Sequence, residues 1–224
     1  MHHRPFKVST VLLDMDGTLL DLHFDDQVWN YALPGRLATR DGTSLAQAKQ
    51  RVADTLARER GTLRWYCLDH WSEVFGLSLH EIEAEQAGLI GVRPGTQAFL
   101  THLQSCGIPA VLATNAHPRS LRLKLAKTGL GPYFSAVHSS HDYGLPKEHP
   151  AFWPAFVAKV GFDPASSIFV DDNLTVLRAA RAWGISESYG ITRPSSTGSA
   201  REYPDFPAVD RLDELNERCT GEGS

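Results

Sequence analysis

Apolar runs of strand length alternate with stretches of helical periodicity along most of this chain. The apolar runs predict strands, and the stretches between them show the longer period of amphipathic helices. Regular alternation of this kind is typical of parallel strands with helices on both faces of the sheet. We therefore predict an α/β fold with a Rossmann-like parallel sheet. The predicted strands cover 6–14, 108–114, 136–139, 167–172 and 185–189, and the predicted helices cover 95–105, 118–128, 150–160 and a segment ending at 183.

The interval between the first two strands is too long for a simple crossover. Far more residues separate Asp14 from Thr114 than the roughly 30 that a βαβ unit needs. Helical periodicity recurs inside this interval, over 46–60 and 63–75. We predict a small helical cap domain at 22–90, inserted into an α/β core domain formed by 1–21 and 91–224.

Polar side chains end several of the predicted strands or lie in the loop beyond one. Because the carboxyl ends of parallel strands meet at one edge of the sheet, we expect these side chains to converge. Carboxylates suit a divalent cation, while hydroxyl, amide and ammonium donors suit phosphoryl oxygens. The pattern predicts a phosphate site with a metal ion. Its residues are Asp14, Asp16, Thr114, Asn115, Lys147, Asp171 and Asp172.

Two other interpretations of the first acidic pair fit the sequence poorly. An Asp-Gly hairpin turn would be followed by an alternating strand, whereas 19–26 is acidic and irregular. A calcium loop of the EF-hand type is excluded because Thr18 stands at the third ligand position and Gly17 comes too early.

The order Asp-x-Asp-Gly-Thr, Thr-Asn, Lys and Asp-Asp resembles the four motifs of the haloacid dehalogenase superfamily, in members with a helical cap after the first motif. The resemblance implies a magnesium-dependent phosphatase in which Asp14 attacks phosphorus to form an aspartyl-phosphate. It implies that Asp16 is the acid and base, a feature of phosphatases and phosphomutases rather than dehalogenases. The implied phosphate ligands are Thr114, Asn115 and Lys147, and the implied metal ligands are Asp14, Asp16 through its carbonyl, Asp171 and Asp172.

Segments 62–73, 114–118 and 124–130 resemble the bacterial GMP/IMP nucleotidases. This resemblance implies purine nucleoside 5′-monophosphates as substrates, with the base held by the cap. Aromatic faces stack on purines and arginine donates to carbonyls, so Arg64, Trp65 and Tyr66 are the expected base contacts. Trp65 also fits a place in the apolar core of the cap. The tail beyond 192 carries no functional expectation.

The sequence leaves several alternatives open. A sugar-phosphate or phosphoglycolate phosphatase, or a phosphomutase, would share all four motifs. A phospho-acceptor signalling module of the receiver type uses similar groups, although it places its acidic pair first. Zinc is a weaker hypothesis, because His138 and His141 lie at a strand end and in a loop with no evident third ligand. The sequence does not indicate an oligomeric state.

Composition narrows the partners and the location. The 224-residue chain has a net charge of −4 and scattered basic residues, which argues against a nucleic-acid partner. No apolar run reaches the length of a membrane span, and three widely spaced cysteines do not predict a disulfide framework. We expect a cytoplasmic protein that acts on a small-molecule phosphate ester.

Overall fold

The structure is a computed structural model that describes residues 7–185 and 187–220. Its sheet has the strand order β3-β2-β1-β4-β5-β6, and every neighbouring pair is parallel. This is the 3-2-1-4-5-6 order of a Rossmann-like sheet and differs from the 2-1-3-4-5 order of receiver-type proteins. The α/β prediction is therefore confirmed. The strands are β1 Thr10–Leu13, β2 Ala110–Thr114, β3 Ala136–Ser139, β4 Ser167–Val170, β5 Glu187–Ile191 and β6 Ala208–Val209.

Helices connect the strands as the alternation predicts. In chain order they are α1 His23–Gln27, α2 Leu33–Asp41, α3 Leu45–Leu56, α4 Leu68–Phe75, α5 Leu79–Gln86, α6 Thr96–Ser105, α7 Pro118–Thr128, α8 Phe152–Val160 and α9 Leu174–Trp183. A π-helix, Val28–Ala32, lies between α1 and α2. None of the helices in the described ranges has the length and apolar character needed to traverse a bilayer.

Strand β1 is buried on both faces, which explains its continuous apolar sequence. Val11 and Leu13 belong to one hydrophobic cluster of the core, and Leu12 between them belongs to the cluster on the opposite face. Successive side chains of a strand point to opposite faces, so this one strand joins both halves of the core. The polar residues directly after it are held at a fixed point of the sheet edge.

The helices between β1 and α6 pack around a third hydrophobic cluster, which contains Trp71 and Phe75 of α4. The segment predicted as one helix over 63–75 is divided in the structure. A 3-10 turn, Leu63–Tyr66, ends before Cys67, whose extended backbone and sulfur cap the start of α4. Helical periodicity continues across the break, so the sequence pattern did not reveal it.

The chain leaves the sheet and returns to it at adjacent points. Leu20 forms an antiparallel bridge with Val92, and the Asp21 amide donates to the Gly91 carbonyl at 2.9 Å. These contacts lie at the two junctions of the predicted cap at 22–90. The domain division itself stays a prediction.

Candidate active site

Asp14 follows β1 directly and is nearly buried, at 6% exposure. Its amide donates to the Val170 carbonyl of β4 at 3.0 Å, so the sheet continues to hold the backbone one residue beyond the strand. Its Oδ1 accepts a hydrogen bond of 2.5 Å from Lys147 Nζ. A carboxylate at this position needs such a cation, because an unpaired buried charge is costly.

Lys147 is a fully buried cation that lies between two carboxylates. Besides Asp14, its Nζ donates to Asp171 Oδ2 at 2.7 Å and to the Ala113 carbonyl at 2.8 Å. Its backbone is fixed as well, because the Lys147 carbonyl accepts from Trp153 Nε1 at 2.9 Å. Burial alone would lower the pKa of Lys147, but Asp14 and Asp171 outweigh it and raise the pKa. The lysine is therefore charged.

Three carboxylates meet at this sheet edge. Oxygens of Asp14, Asp171 and Asp172 lie within 4.8 Å of one another. Burial raises the pKa of Asp14 and of Asp172, and the repulsion among the carboxylates adds to this effect, while Lys147 opposes it. Crowded carboxylate oxygens are the ligands that hard divalent cations prefer. The donor set therefore fits a divalent metal ion.

Asp172 is held from the tail of the chain. Arg201 Nη1 donates to Asp172 Oδ2 at 2.6 Å and to the Asp172 carbonyl at 2.9 Å. The Tyr203 hydroxyl lies 2.6 Å from the same carbonyl. Gly17 also approaches Asp172: it has φ +84°, and a Cβ there would lie 2.5 Å from Asp172 Oδ2. Glycine is required at this position both by its backbone conformation and by this close approach.

Asp16 contacts a second buried lysine, Lys124. Lys124 Nζ donates to Asp16 Oδ1 and to Asp25 Oδ1, at 2.7 Å in each case. Asp25 belongs to α1, in the segment between the two junctions. The two acidic residues of the first motif therefore have separate cations, Lys147 for Asp14 and Lys124 for Asp16.

Thr114 is the last residue of β2, and Asn115 follows it at the same edge. The Asn115 Oδ1 accepts from the Lys147 amide at 2.9 Å, and its Nδ2 donates to Glu148 Oε2 at 2.9 Å. The other Glu148 oxygen accepts from the Tyr66 hydroxyl at 2.9 Å. The Asn115 side chain thus fixes the loop that carries Lys147, and Glu148 links this loop to the 3-10 turn Leu63–Tyr66.

These groups open into a cavity of about 470 Å³ between the sheet edge and the helical segment. The sheet side supplies acidic and cationic groups, and the helical side supplies aromatic rings as well as charged side chains such as Asp25, Arg60 and Glu83. Trp29 and Asn30 reach the cavity from the π-helix, and Trp65 and Tyr66 reach it from the 3-10 turn. We call the charged groups at the sheet edge the floor of the cavity. The aromatic side chains of Trp29, Trp65 and Tyr66 form its roof.

Comparisons with known proteins agree with this geometry. The family model described as haloacid dehalogenase-like hydrolase matches residues 8–184. The chain belongs to this family.

Individual relatives extend the comparison over nearly the whole chain. The chain is 37% identical over 202 residues to the GMP/IMP nucleotidase YrfG of Escherichia coli (strain K12), covering 90% of this chain and 91% of that protein. It is 27% identical to the phosphoglycolate phosphatase of Pectobacterium atrosepticum, covering 93% and 91%. A crystal structure of a HAD phosphatase from Thermococcus onnurineus superposes with a TM-score of 0.79 at 24% identity, covering 94% and 97%. The last similarity concerns the fold alone.

Most of the residues predicted for the site of this haloacid dehalogenase-like hydrolase line the cavity, but Arg64 does not. All seven predicted core-site residues line the cavity, and so do Trp65 and Tyr66. Arg64 does not: its side chain is 70% exposed and pairs with Glu59 at 3.7 Å. In the 3-10 turn, Arg64 and Trp65 point in different directions, so adjacency in sequence did not bring them to the same surface. Arg60 lines the cavity instead.

Several side chains that hold the site of this haloacid dehalogenase-like hydrolase were not predicted from the sequence. Lys124 is buried although helix α7 is largely polar, and it pairs with Asp25 of α1. The sequence contains only a weak signal for Lys124: helical spacing places it on the same face of α7 as Ser120 and Leu121. The structure shows that this face is buried. No local signal identified Arg201, which lies in a tail without recognisable motifs.

Proposed function

We propose that this chain is a magnesium-dependent phosphomonoesterase that hydrolyses purine nucleoside 5′-monophosphates through an aspartyl-phosphate. The observation that carries the proposal is the placement of Asp14 beside Lys147 and two further carboxylates, at the charged floor of the cavity. A phosphoryl group in this position has a nucleophile, a buried ammonium group and a cation site around it. The similarity to a GMP/IMP nucleotidase and the aromatic roof of the cavity support a purine leaving group.

Two displacements account for the reaction. In the first, an Asp14 oxygen bonds to phosphorus, the P–O ester bond breaks, and the proton of the Asp16 carboxyl passes to the ester oxygen, which releases the alcohol. In the second, Asp16 takes a proton from water, the water oxygen bonds to phosphorus, and the bond to Asp14 breaks. A group that first gives and then accepts a proton makes both displacements possible. Lys147 stays beside the reacting oxygen in both.

Mg²⁺ is the cation that we propose for the carboxylate site. Asp14 and Asp172 would hold it, together with the Asp16 carbonyl. Asp171 is the less suitable direct ligand, because its Oδ2 accepts from Lys147 and its Oδ1 accepts from the Asn173 amide at 2.8 Å. When bound, the ion neutralises the charge that repels an attacking carboxylate from a phosphate dianion.

The aromatic side chains of the roof and the nearby Arg60 suit a flat purine base. Trp29 and Trp65 offer faces for stacking, and the Arg60 guanidinium lies 5.5 Å from the centre of the Trp65 ring. A phosphoglycolate phosphatase is the second candidate, supported by the similarity to the Pectobacterium protein and by the presence of Arg60 as a partner for a carboxylate.

A panel of esters separates these candidates. Purified protein is assayed for phosphate release from GMP, IMP, AMP, CMP, UMP, ribose 5-phosphate and phosphoglycolate, with Mg²⁺ or with EDTA. We expect the highest kcat/KM for the purine monophosphates and loss of activity in EDTA. Preference for phosphoglycolate or ribose 5-phosphate would reject purine monophosphates as the substrates. Activity unaffected by EDTA would reject the requirement for Mg²⁺. Transfer of phosphate to another position of the substrate, without release, would indicate a mutase.

A further inference from the structure

Lys124 is a buried cation that the two displacements above do not use. Its side chain is 2% exposed, although lysine is almost never buried unless it is paired. It lies on α7, one helical turn after Ser120, and its Nζ lies 5.0 Å from the centre of the Phe24 ring. The buried charge of Lys124 therefore requires negatively charged partners.

The ammonium group of Lys124 joins parts of the chain that are distant in sequence. Its two hydrogen bonds of 2.7 Å reach Asp16, in the loop after β1, and Asp25, in α1. Glu83 of α5 adds a third negative charge that acts on the same lysine. Glu83 is itself buried and accepts from Ser120 Oγ at 2.9 Å. One cation thus connects the proposed proton donor with two helices of the segment predicted to be the cap.

The bond to Lys124 restricts the Asp16 carboxyl. A free aspartate side chain samples several χ1 rotamers, and only some of them direct an oxygen to the ester oxygen of a bound phosphate. A charge-assisted hydrogen bond selects one orientation more strongly than a neutral one. Because Lys124 is also bonded to Asp25 of α1, its position depends on where α1 lies.

We propose that Lys124 is a positioning residue. It holds the Asp16 carboxyl at the leaving-group oxygen and, through Asp25 and Glu83, makes that position depend on the packing of α1 and α5 against the core. This inference rests on the proposed function, since it assigns a task within the first displacement. It adds a requirement: efficient proton delivery needs the helical segment in place.

The leaving group provides the test. An alkyl ester such as GMP must receive a proton as the P–O bond breaks, whereas p-nitrophenolate leaves without one. General acid catalysis contributes about 10²–10⁴-fold to a rate. A misplaced Asp16 therefore slows the release of guanosine far more than the release of p-nitrophenol. General damage to the site would slow both to the same extent.

The experiment measures single-turnover release of each leaving group with Mg²⁺, so that only the first displacement is observed. The variants are Lys124→Met and Lys124→Arg, and Lys127→Met is the control, because Lys127 is on the same helix but exposed. We expect Lys124→Met to slow guanosine release at least about a hundredfold and p-nitrophenol release less than about tenfold. Lys127→Met leaves both rates unchanged. Lys124→Arg keeps the buried positive charge but displaces it, so it gives the same contrast in a variant that preserves the charge balance of the interior.

Asp25→Ala tests the connection to α1. It leaves the Lys124–Asp16 bond intact but removes the bond to the helix, and we expect a smaller change in the same direction, about tenfold in the ratio of the two rates. Equal slowing of both esters by the Lys124 variants, or no slowing of either, would overturn the inference while leaving the proposed function standing. A wild-type protein that releases no phosphate from any ester would overturn both.

Discussion

Lys147 Nζ lies 2.5 Å from Asp14 Oδ1, although the two residues are 133 positions apart in the chain. The lysine also bonds Asp171, so a single ammonium group compensates two buried carboxylates. Removing one partner of a buried pair costs about 3–5 kcal/mol, because the other charge is left without compensation. Lys147 is therefore important to the stability of the fold as well as to the site.

We predict that Lys147→Met lowers the free energy of unfolding by about 3–5 kcal/mol and abolishes phosphate release. Urea denaturation at neutral pH in EDTA measures the stability. The exposed Lys127→Met is the matched control, with an expected change of less than about 0.5 kcal/mol. A Lys147 variant as stable as the control would show that the buried carboxylates do not need this cation.

Arg201 offers a prediction for metal binding. The Arg201 guanidinium forms an ion pair with Asp172 Oδ2 at 2.6 Å, and the Arg201 side chain is 43% exposed. Taking away this positive charge makes Asp172 more attractive to a divalent cation. We expect Arg201→Met to lower the dissociation constant for Mg²⁺ about two- to fivefold, the range of a partly exposed ion pair.

Isothermal titration calorimetry of Mg²⁺ into the free protein measures this constant without any substrate. Arg178→Met is the control, because Arg178 pairs with Asp205 and both side chains are exposed. A weaker affinity in Arg201→Met would mean that Arg201 serves instead to orient Asp172 for the ion.

If the aromatic roof binds the purine base, removing a ring from it should weaken only substrates that carry a base. Stacking a base on an aromatic ring contributes about 1–3 kcal/mol, so Trp65→Ala is expected to raise KM for GMP about fivefold or more. KM for ribose 5-phosphate, which has no base, should not change. The exposed Trp183→Ala is the matched control. Equal effects on both substrates would place Trp65 in the packing of the roof rather than in base recognition.

His117 gives a prediction for the pH dependence of stability. It lies at the N-terminus of α7 and is 8% exposed. Burial lowers its pKa to about 4, with repulsion from His141 and His80, while Asp69 opposes the shift. In the unfolded chain the same imidazole has a pKa near 6.5. As the pH falls from about 6.5 to about 4, the unfolded state binds a proton that the folded state does not, and stability is lost.

We therefore expect His117→Gln to retain more of its pH 7 stability at pH 5 than the wild type does. Urea midpoints of both proteins at the two pH values measure the difference. Parallel loss of stability in the two proteins would show that groups other than His117 dominate in this range.

Much of this site was predictable from the sequence for a simple topological reason. Once the strands are parallel, their carboxyl ends share one edge, so Asp14, Thr114 and Asp172 must meet wherever the intervening helices lie. The loop carrying Lys147 follows β3 and is directed to the same edge. These placements depend on the strand pattern alone.

The remaining contacts depend on information that local patterns do not contain. The division of 63–75 at Cys67 determines which face Arg64 and Trp65 present, and helical periodicity is continuous across it. The π-helix brings Trp29 and Asn30 to the cavity together, which the ordinary helical period does not predict. Arg201 reaches Asp172 because the chain continues from β5 through a loop to β6, a strand of only two residues that is too short for a local pattern to predict.

The proposed mechanism depends on a covalent bond between Asp14 and phosphorus. The most direct measurement is to mix the protein with substrate and Mg²⁺, quench it with acid within the first turnover, reduce it with borohydride, and locate homoserine by peptide mass spectrometry. An acyl phosphate at Asp14 is reduced to homoserine at position 14. We predict homoserine at that position in the wild type, its absence in Asp14→Asn, and at least about a hundredfold loss of phosphate release in the variant. Phosphate release without any modification of Asp14, or an active Asp14→Asn variant, would contradict the claim.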